Sequence, residues 1–180
     1  MAKKRNKAYR PRGTLVNPLD WAIAGAHTMT DLQQSEFLAP VDRAIDLIRQ
    51  GKAGRDDWND VANAMNVATA LAHFQIGPNL LPAIEAAQDA LKAVAGRMIG
   101  GGSSTCYAHE LEAIREGREM YRAQLKVCTQ GESSRAIQRV KNMHRSGAME
   151  DMAKLFAGMQ SINKKQRGER NENPTSKRIN

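Results

Sequence analysis

The sequence predicts an all-α protein, a single bundle-like domain of five or six helices with a disordered basic arm at each end. Apolar residues recur at three- and four-residue spacing through the middle of the chain, and the alternation typical of strands hardly appears. Proline and glycine separate these stretches at positions typical of helix starts and stops. Because aromatic residues make up only 4% of the chain, we expect an aliphatic and methionine-rich core with close helix packing.

Two helices are predicted before residue 52. Residues 17–29 place Pro18 in the first turn of a short helix. Pro40 is expected to restart the chain, and Gly51 is a fitting stop for the helix that follows. The apolar positions of that helix are Val41, Ile45, Leu47 and Ile48.

Residues 56–99 predict two amphipathic helices. In the first, Asp56 and Asp57 complement the N-terminal end of the helix dipole, and the helix is expected to end near Gly77. Its apolar face is Trp58, Val61, Ala62, Met65, Ala68, Thr69 and Ala72. The face of the second is Ile84, Ala87, Leu91, Val94, Ala95 and Met98.

Three consecutive glycines predict a hinge at residues 100–104, because glycine reaches positive φ without steric strain. Residues 103–105 are expected to cap a long helix that runs to about Cys128 and is weakened in its middle by Gly117. A further helix is expected to start near Gly131 and to end at Gly147. A last amphipathic segment carries Met149, Met152, Leu155, Phe156 and Met159.

Charge is concentrated at the two ends of the chain. Residues 1–13 carry +6 and residues 132–180 carry +6, whereas residues 14–131 carry −4. Such ends are typical of arms that bind a polyanion, most often nucleic acid. We therefore divide the chain into a flexible basic arm (1–16), a helical domain (17–163) and a disordered basic tail (164–180).

Several basic residues are candidate nucleic-acid contacts. Tyr9 lies among six cations, an arrangement that allows it to stack on a base. Residues 135–145 hold four cations and no acid, so a helix there could lie along phosphates; a merely solvated charged face is the alternative. The candidate contacts are Lys3, Lys4, Arg5, Lys7, Tyr9, Arg10, Arg12, Arg135, Arg139, Lys141, Arg145, Lys164, Lys165 and Arg167. No helix-turn-helix, zinc-finger or RRM signature is present, so we expect largely non-specific binding of DNA or RNA.

The long helix over residues 107–128 carries an acidic and a basic stripe. Such stripes usually form a solvated surface of mutual ion pairs, and the alternative is a basic stripe that continues onto a nucleic-acid face. The acids are Glu112, Glu116 and Glu119, and the cations are Arg115, Arg118, Arg122 and Lys126.

Motifs for catalysis, cofactors and metals are missing from the sequence. It has no phosphate-binding loop, HExxH, GxSxG or CxxC motif, so we expect no catalytic, cofactor-binding or metal-ligating residues and no enzyme activity. Cys106 and His109 have a ligand-like spacing, but Cys128 would lie about 30 Å away along a continuous helix. No signal peptide or run of ~20 apolar residues is present, which predicts a cytoplasmic protein without a membrane partner.

The opening MAKKRNKAYRPR, the stretch GRDDWNDVANAMNVATALAHFQIG and the following NLLPAIEAAQDAL resemble small basic helical proteins encoded by bacteriophages and prophages of Gram-negative bacteria. The resemblance covers the first half of the chain. It implies a phage or mobile-element accessory protein that acts in the bacterial host cytoplasm.

A protein-interaction module is the alternative function, for example an inhibitor of a host defence system or host enzyme that docks on an acidic host protein. An exposed methionine face at Met149, Met152 and Met159 would favour it, because methionine adapts to irregular surfaces. The alanine-rich stripes of residues 56–75 and 107–128 also permit a homodimer.

Overall fold

The computed structural model of the chain describes Ile23 and residues 25–99 and 105–147. These residues form five α-helices and no strand, which confirms the all-α prediction. The helices are α1 (Asp31–Arg49), α2 (Arg55–His73), α3 (Leu81–Ile99), α4 (Ala108–Val127) and α5 (Gln130–Arg145), with a 3₁₀ turn at Pro78–Leu80 before α3. The predicted hinge at 100–104 and the amphipathic segment at 149–159 lie outside the described residues, as does most of the helix predicted over 17–29.

Helix α2 lies at the centre and packs against all four other helices. Its sequence explains this position, because small and apolar residues occupy most of its circumference rather than one stripe. Helices α1 and α4 pack together on one side of it, α3 and α4 pack against each other, and α5 rests on α2. The buried residues of α2 are Trp58, Val61, Ala64, Met65, Val67, Ala68, Ala70, Leu71 and Ala72.

The prediction that Pro40 restarts the chain is wrong, because Pro40 lies inside α1, which begins nine residues earlier. A capping box starts the helix: Gln33 N donates to Thr30 Oγ1 at 3.3 Å, and Thr30 N donates to Gln33 Oε1 at 3.0 Å. Leu38, on the turn before the proline, is buried. Interior proline costs about 3 kcal/mol, and the early cap together with the burial of Leu38 outweighs it while the proline ring stays exposed.

Helix α4 begins at Ala108 with Tyr107 as its N-cap residue, which is later than the cap predicted at residues 103–105. Glu110 supplies the cap instead, because its Oε2 accepts a hydrogen bond from Tyr107 N at 2.8 Å. The same carboxylate, on a residue only 3% exposed, binds Arg97 of α3 through two contacts of 2.5 and 2.6 Å. A buried carboxylate needs such partners, so the pairing with Arg97 decides where α4 starts.

Gly117 lets α4 approach α2 and α3 closely. A Cβ at this position would lie 2.5 Å from Ala87 Cβ on α3 and 2.9 Å from Met65 Sδ on α2. The glycine that the sequence places in the middle of α4 therefore lets the helix sit against its neighbours, because no larger residue fits in this space.

Candidate nucleic-acid interface

Helix α5 is fixed by a cap at each end and by one buried face. Thr129 Oγ1 accepts a hydrogen bond from Glu132 N at 3.2 Å, and Glu132 Oε2 accepts one from Thr129 N at 2.8 Å. This backbone hydrogen bond lowers the pKa of Glu132, so its carboxylate stays ionised at the start of the helix. Ala136 and Val140 are buried against the bundle, and Gly147, at φ +70°, follows the end of the helix. The opposite face of α5 is thereby held toward solvent.

The four predicted cations of α5 lie on this solvent side. Arg135, Arg139, Lys141 and Arg145 are all exposed, and none forms an ion pair within 4 Å of a carboxylate in the described part of the chain. With only Glu132 as an acid on the helix, α5 carries a concentrated positive charge.

Two of these cations converge on one aromatic ring. The guanidinium carbons of Arg135 and Arg139 each lie 5.9 Å from the centroid of the Phe74 ring, at the C-terminal end of α2. This distance is within the range of a cation–π contact. Phe74 was not among the predicted site residues, because its contact with α5 joins positions more than 60 residues apart and leaves no local sequence signal.

Helix α4 carries an equal number of cations but pairs its most buried one. Arg118 binds both carboxylate oxygens of Asp42 on α1 at 2.5 and 2.6 Å, and it also contacts Glu119 at 2.5 Å. The hydrogen bond to Asp42 raises the pKa of Arg118. Arg122 lies 3.8 Å from Glu119. The prediction of an ion-paired surface therefore applies to Arg118 and Arg122, although the carboxylate that binds Arg118 through two contacts belongs to Asp42 on α1.

The chain enters the described bundle beside the N-terminal end of α5. Gln130 N donates to His27 O at 3.0 Å, and Thr28 forms an isolated antiparallel bridge with Thr129. A Cβ on Gly131 would lie 2.9 Å from Gly25 O, so glycine is needed for this approach. The described part of the chain therefore begins next to the N-terminal end of α5 and ends at Gly147, just past the other end of that helix. The candidate contacts in 1–13 and 164–167 lie outside the described residues.

A groove of about 500 Å³ separates α1 from α5, with α2 as its floor. Its walls are mainly apolar, and its rim carries Asn63, Lys141 and His144. His144 Nε2 donates a hydrogen bond to Asn63 Oδ1 at 3.1 Å across the helix interface. Burial, followed by the charges of its acidic neighbours, raises the pKa of Asp60 at this groove. The apolar walls are formed by Phe37, Pro40, Val41, Ala64, Val67, Tyr121, Ile137 and Val140.

The thiols offer little chemistry at neutral pH. Burial raises the pKa of Cys106 and of Cys128 to about 11, so both are protonated and are weak nucleophiles. Both cysteines are free, and the described residues contain no group of three or more His, Cys, Asp or Glu side chains that could hold a metal ion. Within residues 25–99 and 105–147, no helix has the length and apolar character needed to cross a membrane.

No protein-family model, curated protein or solved structure matches this chain.

Proposed function

We propose that this chain is a phage or mobile-element accessory protein of the bacterial cytoplasm that binds nucleic acid, largely non-specifically, through α5 and its two basic arms. It acts by binding rather than by catalysis. The observation that carries the proposal is the exposed face of α5, where four cations have no described carboxylate within ion-pairing distance.

The chemistry of a phosphate backbone fits this face. An exposed cation without an ion-pair partner in the protein can bind a phosphate without breaking another contact, whereas Arg118 would first have to break its ion pair with Asp42. The basic arms are expected to add to this charge, because the described part of the chain meets α5 at Gly25 and ends just past the helix at Gly147.

The proposal is tested by fluorescence anisotropy with the full chain and 20-nucleotide single- and double-stranded oligonucleotides at low salt. Replacing Arg135 and Arg139 together by Gln should weaken binding about tenfold, because two phosphate contacts are lost. The matched control replaces Arg115 and Lys126 by Gln on α4; both are exposed and lack a described ion pair, so the same charge is removed from another face.

The α4 variant should keep a Tm within about 1 °C of the wild type. The α5 variant also loses its cation–π contacts with Phe74 and should lower Tm by less than about 8 °C, so both variants stay folded. Equal weakening by the two variants would contradict a binding role for α5. Failure of the wild type to bind either oligonucleotide would contradict nucleic-acid binding altogether.

The groove between α1 and α5 supports a second candidate function, docking of a host protein. Its apolar walls and polar rim match the composition of peptide-binding grooves. Asp60 and Lys141 both line it, and the other cations of α5 beside it would favour an acidic partner. The methionines at 149, 152 and 159, which would also favour this function, lie outside the described residues. The anisotropy measurement with oligonucleotides separates the two functions, because docking of a host protein requires no affinity for oligonucleotides.

A further inference from the structure

We propose that Phe74, together with Arg135, Arg139 and Gln75, binds an unpaired base, which makes single-stranded nucleic acid the preferred partner of this surface. The inference rests on the proposed nucleic-acid binding and adds to it a base-contacting site that carries its own test. It concerns the place where the C-terminal end of α2 meets the exposed side of α5.

The ring and its two arginines form a compact site. Phe74 is half-buried, so part of its ring is held by the core while the rest faces the two guanidinium groups at 5.9 Å. Arg135 and Arg139 are four residues apart and share one flank of α5. Single-stranded nucleic acid is bound by this combination of aromatic rings, on which bases stack, and arginines, which contact phosphates or stack on bases themselves.

The residue that follows Phe74 has a strained backbone and a polar side chain. Gln75 has φ +66°, a conformation that helix ends usually assign to glycine. The turn is held by hydrogen bonds from Gln75 N to Ala72 O at 3.0 Å and from Ile76 N to Leu71 O at 3.0 Å. The exposed side chain of Gln75, the residue after Phe74, carries an amide donor and an acceptor, and strain of this kind is concentrated at functional sites.

The turn is also braced from the core, so the site is formed before any ligand arrives. The buried amide of Gln124 donates to Ile76 O at 2.9 Å and to Ala68 O at 3.0 Å. These bonds tie the residues after Phe74 to α4. A base that stacks here gains contact with a ring that needs little further ordering, which strengthens binding.

The position of the ring favours an unpaired base over a duplex. In a duplex the base faces are covered by their neighbours, so a half-buried ring next to two arginines can reach only a base that has left the stack. The base can take the place of one guanidinium over the ring, and the displaced guanidinium can turn to the adjacent phosphate. The surface thus exchanges a cation–π contact for a stacked base and a charge-assisted hydrogen bond.

The test compares two single-stranded 20-mers of equal charge, one of thymidine nucleotides and one of abasic nucleotides, by anisotropy with the full chain. The wild type should bind the thymidine strand about 5- to 150-fold more tightly, which is the range of base–aromatic stacking. Phe74→Leu should lower this ratio about fivefold or more and leave the affinity for the abasic strand unchanged. The matched control Phe37→Leu alters another half-buried phenylalanine, in the groove, and should leave the ratio unchanged.

Equal binding of both strands by the wild type would overturn the base site while leaving phosphate binding by α5 intact; this comparison needs no variant and does not depend on the folding of Phe74→Leu. Binding of neither strand would overturn the base site and the proposed function together. Gln75→Gly relieves the positive φ and should raise Tm while it lowers the ratio. An unchanged ratio in this variant would remove Gln75 from the site.

Discussion

Helices α4 and α5 carry four cations each, but the bundle holds the two helices in different ways. Helix α4 balances its cations with four acids and packs against α1, α2 and α3. Helix α5 has one acid and rests on α2. The number of charges on a helix therefore does not show which of them are available to a ligand. What shows it is whether each charge already has a partner within the protein.

The acids of α4 show the structural use of charge most clearly. Glu110 is buried and ties α4 to Arg97 on α3, and the Arg97 guanidinium also lies 4.3 Å from the centroid of the Tyr107 ring. Arg118 ties the same helix to Asp42 on α1. On α5, by contrast, the cations contact the Phe74 ring or solvent, and their removal leaves no buried charge without a partner.

The largest effect on this comparison is expected from breaking the buried pair of α4. Glu110→Gln keeps the size of the side chain but leaves Arg97 without its carboxylate, and it should lower Tm by about 5 °C. Thermal unfolding followed by circular dichroism measures this change. The control Glu112→Gln alters an exposed acid of the same helix that has no described ion pair and should shift Tm by less than about 1 °C. Similar shifts for the two variants would show that the Arg97 pair adds no stability.

The same pair predicts a dependence of stability on pH. The hydrogen bond from Arg97 lowers the pKa of Glu110 below its usual value of 4.5, so the folded state holds the ionised form more strongly than the unfolded chain does. The stability from this group is present above about pH 4.5 and is lost as the pH falls through the lowered pKa. The difference in Tm between the wild type and Glu110→Gln should therefore be full at pH 7 and shrink below pH 4.5.

A smaller effect is expected from filling the space that α4 uses to approach its neighbours. Gly117→Ala would place a Cβ 2.5 Å from Ala87 Cβ and should lower Tm by about 3 °C, despite the higher helix propensity of alanine. In the control Gly96→Ala, on α3, the new Cβ meets nothing within 4 Å and should raise Tm by about 2 °C. A rise in Tm for both variants would contradict the close packing of α4.

Most of the fold could be predicted from the sequence because the signals are local. The apolar stripe of α3 is buried as expected, and Gly147 lies just beyond α5. The predicted start of α1 is wrong because it relies on Pro40. The Thr30–Gln33 capping box, which is visible in the sequence, marks the start instead. The start of α4 could not be predicted, because it depends on a pair between Glu110 and Arg97 on the preceding helix.

The same difference between local signals and long-range contacts applies to the candidate site. The exposure of the four α5 cations follows from the helical period, since Ala136 and Val140 face the core. The partner of Arg118 does not follow from it, because Asp42 lies 76 residues away, and the same holds for Phe74 beneath Arg135 and Arg139. Sequence alone could show which charges α4 and α5 carry, and only tertiary contacts show which of those charges are already paired.

The most direct test of the central claim is the salt dependence of binding to a single-stranded 20-mer. The wild type is compared with a variant in which Arg135, Arg139, Lys141 and Arg145 are all replaced by Gln. Each phosphate contact to a single strand contributes about 0.7 to the slope of log K against log salt concentration, so the slope of the variant should be smaller by about 3. An unchanged slope would show that the cations of α5 do not contact the nucleic acid and would contradict the account.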